Sequence, residues 1–434
     1  MTARGTADDD PPGAARPGDL VFEPPQTDDP PGDLVHEAAR RGGPDDVARP
    51  TGRPNRDALT WAAYGTLSTW AWFLYGFGAI LPLLRAEQGA SRTVMGLHSL
   101  ALAAGAAVAG VLVVPMVRRV RRRGSLLLGG LLASVGVVAL VSTTPPPLTL
   151  TATLVTGIGG ALLVNVSVAT LVVHHGPAGP AALSEGNAAA AGVGLVAPLA
   201  IGAAVGLGWT WRPAAVVVLP LVALLVLAIN RVPRGTAALD AVLAPRGQVR
   251  TPMPTTFWIL LGLLMACVGI EFCCTAWSAD LLRQQTGMSP GLASVGVTAV
   301  VGGMAVGRVV IGRLAVHHRP ARLLVAALAL TVAGWVLTWI SVAPGVALAG
   351  LVVVGLGIAG HYPLSVSMVL GSVPGQADRA TGVISLGIAV ASGAAPFALG
   401  AVADATSTHI AFVAVPLLVG LAATALFLSG HARP

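Results

Sequence analysis

Lysine is missing altogether: the 26 basic residues of this 434-residue chain are all arginine. A glycine-rich loop ending in Gly-Lys-Ser/Thr is therefore impossible, which removes the usual cradle for a nucleoside triphosphate. Cysteine is nearly absent, at three residues. Cys267, Cys273 and Cys274 share one apolar run, where they read as small apolar fillers. They are too few for a disulfide framework or a structural zinc centre. Charge is the third shortage: Asp, Glu, Lys and Arg make up 10% of the chain, against about a quarter in a soluble domain. Residues 93–117 and 124–184 contain no such residue at all. No nucleophile–base pair, metal set or aromatic-interleaved basic patch converges anywhere. The expectation is no enzyme, no cofactor, no metal and no nucleic-acid partner.

What is present is apolar. Apolar residues make up 54% of the sequence and the mean hydropathy is +0.77. About 20 apolar residues suffice to cross a bilayer as a helix, and a helix keeps its own backbone paired there. A membrane β-barrel would need short alternating segments, which are lacking. The sequence reads as an all-α integral membrane protein with twelve spans: roughly 60–84, 93–117, 124–143, 147–173, 181–206, 210–230, 257–282, 290–315, 321–342, 345–372, 379–403 and 408–429. Residues 1–57 are different. They hold seven Arg against twelve acids, are rich in Pro, Asp and Gly, and repeat PGDLVFE as PGDLVHE. Too little apolar content predicts a disordered cytoplasmic tail. Arginine counts in the loops set the orientation. One set carries thirteen (Arg118, Arg119, Arg121, Arg122, Arg123, Arg231, Arg234, Arg246, Arg250, Arg313, Arg319, Arg322 and Arg379) and the other four (Arg85, Arg92, Arg212 and Arg283). This predicts a multi-pass plasma-membrane protein, a monomer in the bilayer, with both termini cytoplasmic.

The chain also repeats itself. LLRAEQGAS at 83–91 returns as LLRQQTGMS at 281–289, an offset of 198. At the same offset Gly136, Gly157, Gly159, Ser167, Pro198 and Gly202 fall on Gly334, Gly355, Gly357, Ser365, Pro396 and Gly400. Two parallel six-helix halves follow, 58–230 and 257–429, joined by a cytoplasmic linker at 231–256 and trailed by a short tail at 430–434. Such parallel repeats characterise one large transporter class. The segment GMAVGRVVIGRLAVHHRPARLL at 303–324 resembles the Gly-Arg-x-Leu-Ala-Asp-Arg-x-Gly-Arg-Arg pattern of the major facilitator superfamily. Gly312, Leu314 and Ala315 are in place, Val316 stands where the acid is expected, and Arg118 stands there in the first half. The resemblance implies twelve helices around a central cavity lined by the first and seventh. Family drug antiporters carry an Arg four residues before the Gly157 position, where this chain has Thr153. The direction of transport stays open.

Polar groups inside the spans nominate the site. Glu271 lies about 21 Å into the seventh span, near mid-depth of a ~30 Å core, where an ionisable group is a functional candidate by default. It is expected to exchange the coupling proton. Cys274, Thr275 and Ser278 share its helical face by i, i+3 and i+4 spacing. In the first span Tyr64, Ser68, Trp72 and Tyr75 form an aromatic–hydroxyl strip suited to an organic solute. His361 and Tyr362 stand beside Pro363 in the tenth. Glu185 with Arg308 or Arg313 offers an inner gate, and Arg92 and His98 with Asp404 an outer one. The function read from these residues is secondary transport of a small organic solute, coupled to protons. A non-transporting sensor or assembly protein on the same scaffold remains the alternative, because a fold does not dictate a function.

Overall fold

The computed structural model describes residues 56–233, 235–240, 252–315, 317–373 and 376–431. The tail before residue 56, Arg234, Arg246, Arg250, Val316 and residues 432–434 lie outside them. Helix follows helix: α1 is Ala58–Gln88, and the next run, Arg92–Ser142, breaks at Arg121, whose φ of 59° and ψ of 175° are non-helical. The break divides it into α2 (92–120) and α3 (122–142). The others are α4 Pro146–His175, α5 Gly179–Gly206, α6 Arg212–Arg231, α7 Thr255–Thr286, α8 Pro290–Leu314, α9 Pro320–Ile340, α10 Pro344–Gly371, α11 Ala377–Ala405 and α12 Thr408–Gly430. Eleven helical runs among the described residues, Arg92–Ser142 counted as one, are long and apolar enough to cross a membrane. Counted with the break, twelve described spans put residue 58 and residue 430 on one face, which also carries the exposed Arg118, Arg119 and Arg313. We call it the Arg-rich face.

The twinned loops have a local cause. Gly89 ends α1 in the left-handed region (φ 59°) and Gly287 ends α7 likewise (φ 69°). A Cβ disfavours that conformation, so glycine stops the helix there. Two residues later Ser91 accepts a hydrogen bond from the Val94 N–H, and Ser289 from the Leu292 N–H, capping α2 and α8. Gly-x-Ser thus stops one helix and starts the next within three residues, in both halves.

Packing inside the halves repeats too. A Cβ on Gly157 would lie 2.3 Å from the Leu102 carbonyl oxygen, and one on Gly355 would lie 2.1 Å from that of Val300. Leu102 and Val300 are themselves 198 positions apart, so α2 meets α4 as α8 meets α10. At the Arg-rich end, Arg122 donates to the Ala238 carbonyl at 2.6 Å and Arg123 to those of Ile229 and Val232 at 3.0 and 2.6 Å. The first turn of α3 thereby holds the end of α6 and the short linker helix Ala237–Asp240.

Between the halves the contacts are one-sided. Gly96 faces the Phe397 backbone, Gly393 faces Leu100 and Ala103, and Gly202 faces Gly291 and Ser294. These crossings of α2 with α11 and α5 with α8 all lie toward the face opposite the Arg-rich one. On the Arg-rich side the space between the halves is open.

Candidate functional site

That space is a cavity of about 660 Å³, walled by α1, α2, α4, α7, α10 and α11. Its lining is buried at the far end, at Gly78, Leu81, Ser99 and Ala276, and exposed toward the Arg-rich face, at Asn165, Thr381 and Ser385. Access is therefore from the Arg-rich side. The α1 wall is Trp70, Leu74, Phe77, Gly78 and Leu81 with Tyr75 beside them, an i, i+4, i+7, i+8 stripe of one helical face. Glu271 stands at the middle of α7 and lines the cavity with Phe272 and Thr275. Arg308 of α8 lies within electrostatic reach of Glu271, Tyr75 and Tyr362.

Of the residues nominated by sequence, Glu271, Tyr75, Thr275 and Tyr362 meet at this wall. The rest of the expected lining is corrected. Tyr64 is buried against α5 and donates to Glu185 at 3.2 Å. Trp72 donates its indole N–H to the Ala214 carbonyl of α6 at 2.9 Å, and half-buried Ser68 is not part of the cavity wall. Tyr64 and Trp72 therefore turn into their own half, and the bulkier stripe beside them faces the cavity. Cys274 is buried against Trp335, Leu351 and Phe412 of its own half, and Ser278 is buried beside Gly296 of α8. His361 is buried, with Nε2 3.2 Å from the Thr331 hydroxyl of α9. A ring that satisfies a neighbouring helix has no reach to the cavity.

The face opposite is locked by a residue that sequence reading passed over. Asp280 of α7 is 1% exposed. Its carboxylate accepts from Arg85 of α1 at 3.1 Å, Arg92 of α2 at 3.4 Å, Thr408 of α12 at 2.6 Å and Gln284 at 3.1 Å. Arg85 and Arg92 belong to the first half and Asp280 to the second, so the cluster pins the halves together. Asp280 lies two residues inside the end of the predicted span 257–282, where nothing local marks it; its pairing with an Arg 195 positions away was the missing signal. Asp404 adds a second tie. Its two oxygens accept the backbone N–H groups of Arg92 and Thr93, both at 2.7 Å, and the Thr93 hydroxyl at 2.6 Å. The expected pairing of Arg92, His98 and Asp404 is corrected accordingly. Asp404 holds the positive N-terminus of α2 while the Arg92 side chain goes to Asp280. His98 is buried within its own half, bridging the Val94 carbonyl and the Thr149 hydroxyl.

At the Arg-rich face Glu185 pairs with Arg56, by two contacts of 3.0 Å, and not with Arg308 or Arg313. The hydrogen bond and charge of Glu185 hold the Arg56 guanidinium above its ordinary value. Next to it Asp57 caps α1 through the Thr60 N–H at 2.9 Å and meets His174 at 2.7 Å. Burial pushes the Asp57 carboxyl up, but the bonds from Thr60 and His174 outweigh it and leave it below its ordinary value.

A family profile described as Major Facilitator Superfamily matches residues 259–434. The match lies within the second half of the chain; over the whole chain the likeness is one of fold. No curated protein matches the chain in sequence. Among solved structures it is similar to a bacterial homologue of the human lysosomal transporter Spinster in an inward-facing and occupied conformation, with a TM-score of 0.69 and 15% identity over 88% of this chain and 98% of that one. A D-xylose–proton symporter gives 0.70 and 14% over 87% and 98%. A peptide transporter POT in complex with sulfate gives 0.70 and 14% over 86% and 94%. The major facilitator fold thus spans α1 to α12, and its α1 and α7 line the cavity described above.

Proposed function

We propose that this chain is a secondary active transporter, not an enzyme, that carries a small organic solute across the plasma membrane by alternating access. The observation that carries the reading is the asymmetry of the central cavity. One face is closed by Asp280 and Asp404 across the two halves, and the other is open with Glu271 on the path. With the Arg-rich face in the cytoplasm, as the arginine distribution implies, this is an inward-open state. Solute leaves or enters through the gap between α2 and α11 and between α5 and α8. Rocking of the halves would break the Asp280 cluster and bring the Arg-rich ends of α5 and α8 together. In that state Glu185 exchanges Arg56 for Arg313 or Arg308, a closure assembled from weak exposed pairs that form and break readily.

Glu271 is the group proposed to couple solute to protons. A carboxyl at mid-depth whose access alternates between two aqueous phases can load a proton on one side and release it on the other. Protein reconstituted in liposomes under an imposed pH gradient is the test, with a panel of labelled solutes. Gradient-stimulated flux of at least one solute, abolished by collapsing the gradient, is expected. A protein that binds solutes and moves none under any gradient would instead be a sensor on this scaffold.

A further inference from the structure

The charge of the cavity carries a conclusion about the solute. Glu271 is the sole acid among its described lining residues, and no Arg, Lys or His lines it. No described side chain donates a hydrogen bond to the Glu271 carboxylate, and its one charged neighbour is Arg308. Arg308 does not close an ion pair with it; the guanidinium also faces Tyr75 and Tyr362, to which it is electrostatically coupled. The cavity side of the carboxylate is thus left without a hydrogen-bond donor, its charge offset only by Arg308 at a distance, in a low-dielectric wall where an unsatisfied polar group is costly. Tyr75 of α1 and Tyr362 of α10 lie near it, and Trp70 of α1 and Phe272 of α7 line the same cavity. Aromatic faces attract cations, most strongly when water is excluded. An anion entering this cavity would meet the Glu271 carboxylate and the aromatic faces in the wall before Arg308, which is not part of the lining.

We infer that the solute is an organic cation with an apolar or aromatic body, which binds Glu271 in place of a proton. The inference rests on the transport reading above only for what binding accomplishes, not for the binding itself. Protonated Glu271 plus cation gives a carboxylate–cation pair and one free proton. Charge balance at the carboxylate then makes the two ligands alternatives, so loading of one expels the other and the coupled movement is exchange. A neutral solute would instead bind together with the proton. The groups facing Glu271 are Tyr75, Arg308 and Tyr362 from other helices and Cys267 and Cys274 from its own. None of those residue types ordinarily changes charge between about pH 5 and 7, which leaves the carboxyl as the titrating partner.

Two probes of nearly one shape and opposite charge test this: tetraphenylphosphonium and tetraphenylborate, by equilibrium dialysis against the purified full chain in detergent, with empty micelles subtracted. The phosphonium is expected to bind at least tenfold more tightly than the borate. Its affinity should weaken as pH falls and approach tenfold per pH unit once Glu271 is protonated. At pH values where Glu271 is protonated, binding in weakly buffered solution should release one proton per cation. Glu271→Gln should lose at least tenfold in affinity, while Glu271→Asp, which keeps the charge, should stay within a few-fold and so separate charge from misfolding. Equal binding of both probes, or phosphonium affinity that is the same in Glu271→Gln, overturns the cation assignment. The flux assay is independent of these outcomes. Cation binding without flux removes transport and keeps the site, and proton-driven flux of a neutral solute without cation binding does the reverse.

Discussion

Glu271 and Asp280 lie on the same helix, nine residues apart, and the membrane protein treats them in opposite ways. Asp280 is sealed and satisfied by four donors; Glu271 faces a cavity without one. A buried carboxylate that is fully paired is structural in the state that pairs it, whereas one left open to water invites exchange. Glu271→Gln should therefore keep folding and the thermal transition in detergent close to the parent's, yet lose the pH-gradient dependence of uphill flux. If the Gln variant still accumulates solute with unchanged pH dependence, another group couples. Asp57 offers a gentler test outside the spans. Its carboxyl is held below its ordinary value in the folded chain, so its contribution is present at neutral pH and vanishes as pH falls through the acidic range where the folded carboxyl protonates. Asp57→Ala should cost roughly 1 kcal/mol, the usual worth of an N-cap, in stability at pH 7. The deficit should close below about pH 4, read from melting profiles of the two proteins at each pH.

At the scale of helices the working parts are α2 with α11 and α5 with α8, joined at one end and parted at the other. Neutralising Asp280 while keeping its shape leaves Arg85 and Arg92 without their carboxylate, a loss of about 3–5 kcal/mol for breaking one side of a buried pair. That is enough to shift a two-state balance a hundredfold or more. In a background with Cys267, Cys273 and Cys274 replaced, a thiol at Thr275 (Thr275→Cys) should resist an impermeant reagent added from the face opposite the Arg-rich one. Adding Asp280→Asn should make it react there. Unchanged protection would show that the cluster does not hold the closed face. Elements were the most legible level of the sequence. Helix number, the Gly-x-Ser connections and the glycine crossings are written in apolar runs and in a repeat that local sterics enforces. The site was half legible. Glu271, Tyr75, Thr275 and Tyr362 could be named because depth and polarity flag them. The strip of Tyr64, Ser68 and Trp72 could not be placed, since polar spacing gives a helix face without saying which neighbour it turns to. Asp280 was missed because its meaning depends on Arg85 and Arg92, which only the tertiary fold brings near.

Across the whole molecule, symmetry and its violations divide the labour. Residues that obey the 198-position repeat, such as Gly157 with Gly355, hold the scaffold. Residues that break it carry the asymmetry needed for a cycle: Glu271 stands against Phe73 in the other half, and Asp280 against Pro82. Two similar rigid halves with unlike contacts at their interface have two ways to meet, each closing one face. The direct measurement is of distances across α5 and α8 at both faces, by pulsed electron–electron spin resonance on reconstituted, cysteine-replaced protein. One labelled pair replaces Leu207 and Leu292 on the closed face, and another replaces Ser184 and Leu314 on the open one; all four are exposed. Two populations are expected at each pair, with the Leu207–Leu292 distance lengthening as the Ser184–Leu314 distance shortens when pH or solute is changed. A single distance at both faces, unmoved by pH, by tetraphenylphosphonium and by Asp280→Asn, would contradict alternating access in this protein.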